Sequence, residues 1–386
     1  MNIAIYTNIL TPYRKFFYDA LYRECKKRGD NFNVLLMADT EPNRNWKYND
    51  LKAEYTILLE NKTFAIGETY IHYNKNLKKV LKDLKLDILI CAGGYLCPGI
   101  WRALKLKKVL GYKVYFWSES HLKEKRNYGN LKIMIREFIR KIIYKRFNGF
   151  WYAGQLSKQF IESYCGTGKE MCFVPNLIEE VKYEEASRIT KIEKDKLKLK
   201  YGIKNNKVIF ICPARLSYVK GIDKFISIFA KCSKRNEAII LVAGEGEMRE
   251  IIEKQVKELK LDVQLLGFRD QESIIDLYSI SDVFLLPSLS DPNPLTCIEA
   301  LWSGLPLLIS EHCGNYPEIV KQGKNGYVFS YKEENKLIEY LDLLITASDD
   351  WKIKASQTSK KIAEEKYLSR LVVKRLINYY HSLGEK

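Results

Sequence analysis

The stretch SLSDPNPLTCIEALWSGLP, from Ser288 to Pro306, combines the end of a strand, a turn and a helix. The apolar run before it is typical of a buried strand, and the residues DPNP predict a turn. Asn293 is a good N-cap, Pro294 suits the first helical position, and Gly304 suits the position after the last turn. A helix that starts here presents unpaired backbone N–H groups at Leu295 and Thr296, and such groups bind anions, phosphates above all.

The same stretch contains two acids in a suggestive arrangement. Asp291 lies just before the predicted helix, and Glu299 lies eight residues later, inside it. Both acids belong to a binding site in one interpretation. In the other, Asp291 caps an ordinary helix and Glu299 is solvated, as most charged helix residues are. The stretch alone leaves both interpretations open.

Strand and helix patterns alternate along the whole chain, which predicts parallel sheets with helices on both faces. Strands are expected near Asn2–Ile9, Val34–Met37, Tyr55–Leu59, Ile88–Cys91, Val114–Trp117, Phe150–Ala153, Val208–Cys212, Ala238–Val242, Val263–Leu266 and Val283–Leu286. We therefore expect an α/β protein with two Rossmann-like, doubly wound sheets and a cleft between them. Binding residues should lie at the carboxyl ends of the strands, which in the first sheet are the loops Asn8–Arg14, Gly93–Tyr95 and Ser118–Lys123.

A charge-dense segment from Glu179 to Tyr201 separates the two sets of strands and indicates a linker and an entry helix. The predicted domains are residues 1–178 and 179–365. Residues 366–386 should form a C-terminal helix that packs back on the first domain.

The net charge of +17 calls for an anionic partner or surface, and the first 180 residues carry +13 of it. Nucleic acid is one candidate, but no recognition motif accompanies the charge, so we expect no nucleic-acid role. An anionic membrane surface is the other. In LKIMIREFIRKIIYKRF, Ile135, Phe138, Ile139 and Ile142 share one helical face and basic residues occupy the rest. A basic amphipathic helix that packs on a core has the same pattern.

Other features of the composition limit the class of protein. The nine cysteines are odd in number and lack C-x-x-C spacing, so they are interpreted as reduced core thiols. The four scattered histidines and the absence of a D-x-D triplet argue against a metal site. The chain begins without a signal-peptide pattern and contains no apolar run of membrane-spanning length. We expect a cytoplasmic protein, bound peripherally to the inner face of the membrane, with no cofactor and no metal.

Two cations follow the strand Val208–Cys212 in PARLSYVKGIDKF. Arg215 and Lys220 lie five residues apart in a loop at the carboxyl end of a strand, where an Arg fork and a Lys point charge can hold a diphosphate. Taken singly, each is an ordinary surface charge. A third loop on the same sheet edge holds Gly244-Glu245-Gly246, which is weak evidence because a turn explains it equally well.

With these residues assembled, the chain resembles retaining glycosyltransferase family 4, the group 1 glycosyl transferases with the GT-B fold. The family's R-x-x-x-x-K-G loop is matched by Arg215, Lys220 and Gly221, its G-x-G by Gly244 and Gly246. Further matches are a strand ending in Gly267, the E-x7-E element at Asp291 and Glu299, the segment PEIVKQGKNGYVF, and TPYRKFF near the start. The first acid of the element is usually glutamate, so the shorter Asp291 is a departure that leaves the donor sugar open.

The resemblance implies a role for each matched residue. Arg215 and Lys220 would bind the donor diphosphate together with Pro294, Leu295 and Thr296 at the helix start, and Glu299 would bind the ribose. Gly267, Phe268 and Arg269 would lie near the base, and Asp291 would hold the transferred sugar. In the first domain, His121 or its competitor Glu119 would face the donor sugar, and Tyr13 and Arg14 would face the acceptor.

Two hypotheses follow. The first is a metal-independent, retaining glycosyltransferase that moves a sugar from a UDP- or GDP-sugar to a glycan or lipid-linked acceptor in bacterial surface polysaccharide synthesis. The second is a catalytically silent protein that binds a nucleotide sugar or an anionic lipid on the same fold.

Overall fold

A computed structural model describes residues 1–41, 48–66, 69–123, 130–203 and 207–384. The strands are β1 (Asn2–Thr7), β2 (Asn31–Leu36), β3 (Thr56–Leu58), β4 (Asn61–Ile66), β5 (Thr69–Asn74), β6 (Ile88–Ala92), β7 (Lys113–Ser118), β8 (Gly149–Tyr152), β9 (Glu170–Phe173), β10 (Val208–Pro213), β11 (Ala238–Ala243), β12 (Val263–Gly267), β13 (Val283–Leu286), β14 (Leu307–Ser310) and β15 (Gly326–Phe329).

Most of the helices alternate with these strands. They are α1 (Pro12–Lys27), α2 (Tyr48–Leu51), α3 (Leu77–Asp83), α4 (Pro98–Leu110), α5 (Asn130–Tyr144), α6 (Gln155–Cys165), α7 (Glu180–Ala186), α8 (Lys191–Lys200), α9 (Ile222–Phe229), α10 (Arg249–Glu258), α11 (Gln271–Ile280), α12 (Leu295–Trp302), α13 (Tyr316–Ile319), α14 (Glu334–Ile345), α15 (Asp349–Tyr367) and α16 (Ser369–Gly384).

The strands form two parallel sheets, as the alternation predicts. The first has the order β3-β2-β1-β6-β7-β8-β9 and the second β12-β11-β10-β13-β14-β15. Every neighbouring pair in both sheets is parallel. The strand order reverses beside β1 in the first sheet and beside β10 in the second. Each reversal creates a crevice at the carboxyl ends of two central strands, where α/β proteins bind ligands.

The central strands are buried along their whole length, because helices cover both faces of a parallel sheet. All six residues of β11 (AIILVA) and all four of β13 (VFLL) are buried. Such strands carry continuous apolar runs in place of an alternating pattern, and these runs allowed the strands to be predicted from the sequence.

The chain divides into two compact units. The first comprises Met1–Leu122, Arg126–Leu177 and Ser369–Lys386, and the second comprises Lys123–Lys125 and Ile178–Leu368. The last helix, α16, packs within the first unit, where the Trp151 indole N–H donates to the Tyr380 hydroxyl at 2.5 Å. It begins at Ser369, three residues later than the predicted boundary of 366.

Several elements differ from the expectation. The segment predicted as a linker and an entry helix folds into two helices, α7 and α8, and α8 starts with a capping box between Thr190 and Glu193. The antiparallel hairpin β4–β5 and the strands β14 and β15 were not predicted. The last two strands have four residues each.

The faces of α5 also differ in part from the prediction. Ile135, Phe138 and Ile142 are exposed, but Ile139 packs against the core of the first unit. Arg140, expected on the solvated face, is half-buried, with its guanidinium carbon 4.7, 5.0 and 5.1 Å from the centres of the Tyr95, Phe160 and Tyr164 rings. The cysteines match the expectation, since all nine are free thiols and eight of them are buried.

Candidate functional site

The crevice of the second unit is formed by the loops that follow β10 and β13. These loops approach each other closely: the Leu289 N–H donates to the Val219 carbonyl at 2.8 Å. Gly221 adopts a positive φ of 61°, and a Cβ placed on it would lie 2.6 Å from the Pro287 carbonyl oxygen. Only glycine fits this position, which explains the glycine after Lys220 in physical terms.

Lys220 and Asp291 meet in this crevice. Lys220 Nζ lies 2.5 Å from Asp291 Oδ2, and the two side chains are 23% and 12% exposed. Burial lowers the pKa of Lys220, but the attraction of the Asp291 carboxylate outweighs it, so the pKa of Lys220 is raised. The sequence placed these residues in two halves of one site, and the structure joins them in a direct ion pair.

The backbone of Asp291 is held from the neighbouring strand end. Its N–H donates to the His312 carbonyl at 3.1 Å, and its carbonyl accepts from the Gly314 N–H at 2.8 Å. These two bonds form a parallel bridge between Asp291 and Cys313. The position of the carboxylate is therefore determined by the loop after β14, which the sequence did not connect to the site.

The helix α12 begins one residue later than predicted. Its first residue is Leu295 and its N-cap is Pro294, with extended φ and ψ of −65° and 121°, so Asn293 is not the N-cap. Gly304 follows the helix with a positive φ of 70°, as predicted. The first-turn N–H groups of Leu295 and Thr296 have no helical acceptor and, with the helix dipole, favour an anion at this end.

Glu299 is held by a tyrosine and is not a solvated surface acid. The Tyr278 hydroxyl lies 2.9 Å from Glu299 Oε2 and 3.1 Å from the Thr296 carbonyl oxygen. Burial raises the pKa of Glu299, and the hydrogen bonds from Tyr278 and Tyr183 oppose this only in part. The interpretation of Glu299 as a solvated helix residue is therefore wrong. Sequence reasoning missed both tyrosines, since each lies on a different helix and belongs to no motif.

The glycines of the G-x-G pattern allow two loops to touch. A Cβ on Gly244 would lie 2.1 Å from the Ala214 carbonyl oxygen, and one on Gly246 would lie 2.3 Å from that of Leu216. The Leu216 N–H donates to the Glu245 carbonyl at 3.0 Å. The glycines thus hold the backbone on both sides of Arg215, whose side chain is exposed.

The residues predicted to contact a base lie at the end of β12. Gly267 has a positive φ of 77°, and a Cβ there would lie 2.8 Å from Glu245 Oε1. The Phe268 side chain is 77% exposed, which is unusual for a large aromatic residue. Arg269 is half-buried, and its Nη1 lies 3.4 Å from the Phe268 carbonyl oxygen.

The predicted residues of the first unit form a second group. Arg14, in the first turn of α1, makes an ion pair with Glu119 in the loop after β7, and its guanidinium carbon lies 3.8 Å from the centre of the Trp117 ring. Burial lowers the pKa of Arg14, but Glu119 and nearby tyrosines outweigh it, so the pKa is raised. Tyr13 is exposed beside this pair. His121 is buried, with 2% of its surface exposed.

Among the residues that the structure describes, no group of three or more His, Cys, Asp or Glu side chains is arranged to hold a metal ion. Nor, in the same residues, is any helix both long enough and apolar enough to cross a bilayer.

Comparison with known proteins identifies the fold and gives a family match for part of the chain. The chain shares the fold of HepE from Anabaena in complex with UDP, with a TM-score of 0.78 at 16% identity over 99% of this chain and 100% of that one. Two Rossmann-like parallel-sheet units of this kind define the GT-B class of glycosyltransferase folds. The family model of glycosyl transferases group 1 matches residues 193–365, which lie within the second unit. The resemblance inferred from the motifs is confirmed.

Sequence comparison adds further relatives. An uncharacterized glycosyltransferase from Methanocaldococcus jannaschii is 28% identical over 192 residues, which are 49% of this chain and 48% of that protein. Alpha-monoglucosyldiacylglycerol synthase from Streptococcus pneumoniae is 23% identical over 363 residues, which are 91% of this chain and 79% of that enzyme. The chain spans about half the length, or less, of several other curated relatives that it matches.

Proposed function

We propose that the protein is a retaining glycosyltransferase that moves a sugar from a nucleotide-sugar donor, a UDP- or GDP-sugar, to a glycan or lipid-linked acceptor without a metal ion. The observation that carries the proposal is the Lys220–Asp291 ion pair, 2.5 Å long, in the crevice of the second sheet. It joins a cation suited to a diphosphate with an acid suited to a sugar. The complex of HepE with UDP supports a uridine nucleotide as the first donor to try.

In the proposed reaction the bond between the anomeric carbon and the diphosphate breaks, and its electron pair stays on the diphosphate oxygen. The oxygen of an acceptor hydroxyl forms the new bond to that carbon on the same face, and the hydroxyl proton passes to the released diphosphate. Lys220, Arg215 and the N–H groups of Leu295 and Thr296 are assigned the task of stabilising that charge. Fixed cations and a helix N-terminus supply such stabilisation without a metal, because they are aimed at the oxygen before the reaction begins.

The remaining donor contacts follow the order of the loops along the sheet edge. Glu299, beside Tyr278, is assigned to the ribose hydroxyls. The exposed ring of Phe268 is suited to stack on the base, with Gly267 and Arg269 beside it. Asp291 is assigned to the hydroxyls of the transferred sugar and to the positive charge that develops at the anomeric carbon.

The first unit is assigned the acceptor. Tyr13 is exposed, and the Arg14 guanidinium is held by its ion pair with Glu119. The two residues therefore present a fixed guanidinium beside an exposed phenol. Arginine binds phosphate in a bidentate manner, which suits an acceptor attached to a lipid phosphate. Between the two candidates for the donor sugar, Glu119 is the more accessible and His121 the more deeply buried.

We further propose peripheral binding to the inner face of an anionic membrane through α5, with a role in bacterial surface polysaccharide synthesis. Met134 and Phe138 are 63% and 66% exposed, on the same side as Ile135 and Ile142. An exposed apolar helix face beside basic residues is typical of interfacial helices. The lipid product named for the Streptococcus pneumoniae relative supports an acceptor at a membrane.

Transfer is tested with UDP-glucose, UDP-galactose and GDP-mannose, in EDTA, on undecaprenyl-diphosphate sugars and diacylglycerol. We expect sugar to appear on an acceptor with the anomeric configuration of the donor, and Lys220→Gln to abolish it while the surface variant Lys361→Gln keeps full activity. Strict dependence on a divalent metal, or an inverted product, would refute the mechanism. Donor binding without transfer to any acceptor would instead support the silent binding protein.

Membrane binding is tested by co-sedimentation with phosphatidylglycerol vesicles. Met134→Ser/Phe138→Ser should release the protein, because both lost side chains are exposed and would enter the bilayer. The matched control is Ile192→Ser/Ile353→Ser, which removes two equally exposed apolar side chains of the second unit. Equal sedimentation of both variants would exclude α5 as the membrane contact. Binding should also weaken as salt rises.

A further inference from the structure

A strongly basic cavity lies at the edge of the first sheet opposite to Arg14 and Glu119. It opens beside the amino-terminal ends of β7, β8 and β9 and has a volume of about 620 Å³. Its cations are Lys105, Lys107, Lys108, Lys145, Arg146 and Lys169. No part of the donor or acceptor site proposed above includes these residues.

The two innermost cations are fixed by backbone carbonyls. Lys107 Nζ lies 2.6 Å from the Arg146 carbonyl oxygen and 3.1 Å from Asn148 Oδ1. Lys169 Nζ lies 3.0 and 2.8 Å from the carbonyl oxygens of Lys145 and Phe147. An ammonium group has three N–H donors, so each lysine retains one donor for a ligand.

Acidic partners are lacking in this cavity. None of its six cations makes an ion pair with any residue that the structure describes. The single acid in its wall, Glu170, accepts from Lys113 at 3.2 Å and from the Tyr115 hydroxyl, both of which belong to the start of β7. The positive charge of the cavity is therefore uncompensated by the protein.

The like charges around Lys107 act on its pKa. Burial lowers the pKa of Lys107, and the like charges of Lys169 and Lys108 lower it further. A purely structural role, in which lysines cap the carbonyls at the end of α5, accounts for Lys107 and Lys169. It leaves unexplained why four more cations converge on the same cavity without a counter-charge.

We propose that this cavity binds a phosphate-bearing anion at a second site, separate from the donor and acceptor sites. Lys107 and Lys169 would each donate their remaining N–H to a phosphate oxygen, and Arg146 would supply a bidentate fork. The cavity is larger than one phosphate group, so it suits a polyphosphate or the phosphate of a lipid headgroup. The strand β7 has six residues, so roughly 16–20 Å separates this cavity from the Arg14–Glu119 pair.

The test is calorimetric titration of the full chain with inorganic tripolyphosphate, for the wild type and for Lys107→Gln/Lys169→Gln. Each lost bond to a charged phosphate should weaken binding roughly tenfold or more. The matched control, Lys78→Gln/Lys79→Gln, removes the same number of positive charges from exposed residues of α3. Because exposed charges outside the cavity contribute little, this variant should change the affinity less than about twofold. Binding elsewhere on the chain contributes equally to all three proteins.

A second variant keeps the proposal testable if the half-buried Lys107 and Lys169 are needed for folding. Lys105→Gln/Lys108→Gln changes two exposed side chains and should weaken tripolyphosphate binding by a smaller factor, with an unchanged urea unfolding curve. The source of the phosphate is then separated with phosphatidylglycerol vesicles. Selective loss of tripolyphosphate binding in the cavity variants supports a soluble anion, and selective loss of vesicle binding alone supports a lipid headgroup. Equal binding by cavity and control variants to both probes would overturn the proposal.

Discussion

The Lys220–Asp291 pair offers the sharpest test of the second unit, through the variant Asp291→Asn. Loss of the carboxylate leaves the Lys220 ammonium in the crevice without its counter-charge. Removing one partner of a buried ion pair costs roughly 3–5 kcal/mol. The Lys220 side chain is 23% exposed, so water can solvate the unpaired ammonium in part. We therefore expect a cost at the lower end of that range, about 3 kcal/mol.

A loss of this size is measurable by calorimetric unfolding. For a unit of this length, 1 kcal/mol corresponds to roughly 2–4 °C, so the Tm of the second unit should fall by about 6–12 °C. The double variant Lys220→Met/Asp291→Asn should recover most of the loss, because no uncompensated charge then remains. The control Asp276→Asn breaks the exposed pair with Lys200, which is 2.7 Å long, and should cost less than about 1 kcal/mol.

The same variant tests the proposed diphosphate role of Lys220. A diphosphate would replace the missing negative charge, so UDP should raise the Tm of Asp291→Asn by more than it raises that of the wild type. Additive effects of the Lys220 and Asp291 substitutions, or an Asp291→Asn loss no larger than that of Asp276→Asn, would refute the coupling. Equal UDP shifts in both proteins would refute the diphosphate role alone.

Three further predictions concern the other site residues. Because burial raises the pKa of Glu299 above its ordinary value of 4.5, the folded state holds this proton more tightly than the unfolded one, and stability is lost as pH rises through the raised pKa. Glu299→Gln should therefore keep or raise the Tm at neutral pH and make the stability depend less on pH; a lower Tm would contradict the burial argument. In calorimetry the same variant should bind UDP about ten- to a hundredfold more weakly. Phe268→Ala should leave the Tm unchanged and weaken UDP binding by roughly 1–3 kcal/mol, with no change in the binding of inorganic pyrophosphate. Asp291→Glu should retain the ion pair and the Tm but change the relative kcat/KM values of two donor sugars, since the carboxylate moves by one methylene; unchanged ratios would remove Asp291 from sugar selection.

Much of the fold was predictable from the sequence, because parallel strands covered on both faces must be apolar along their whole length. Runs such as those of β11 and β13, separated by helical segments, predicted two doubly wound sheets. The strands β14 and β15 and the hairpin β4–β5 were not predicted. The strand β15 (GYVF) begins with glycine, and β4 (NKTFAI) and β5 (TYIHYN) mix polar with apolar residues and so lack a continuous apolar run. The helix start at Leu295 was placed within one residue because DPNP restricts the backbone locally.

What the sequence determined by itself was the set of loops proposed to hold the chemistry, since the carboxyl ends of parallel strands lie on one edge of a sheet. It thereby identified Ser288–Pro306 and the Arg215–Lys220 loop as neighbours. Only the tertiary structure decided which side chains touch: Lys220 with Asp291, 71 residues apart, Tyr278 with Glu299, and Arg14 with Glu119. It also decided that α5 turns Arg140 toward aromatic rings and that six cations share one cavity. Such contacts depend on distances across strands and helices that are remote in sequence, and no local pattern of residues records them.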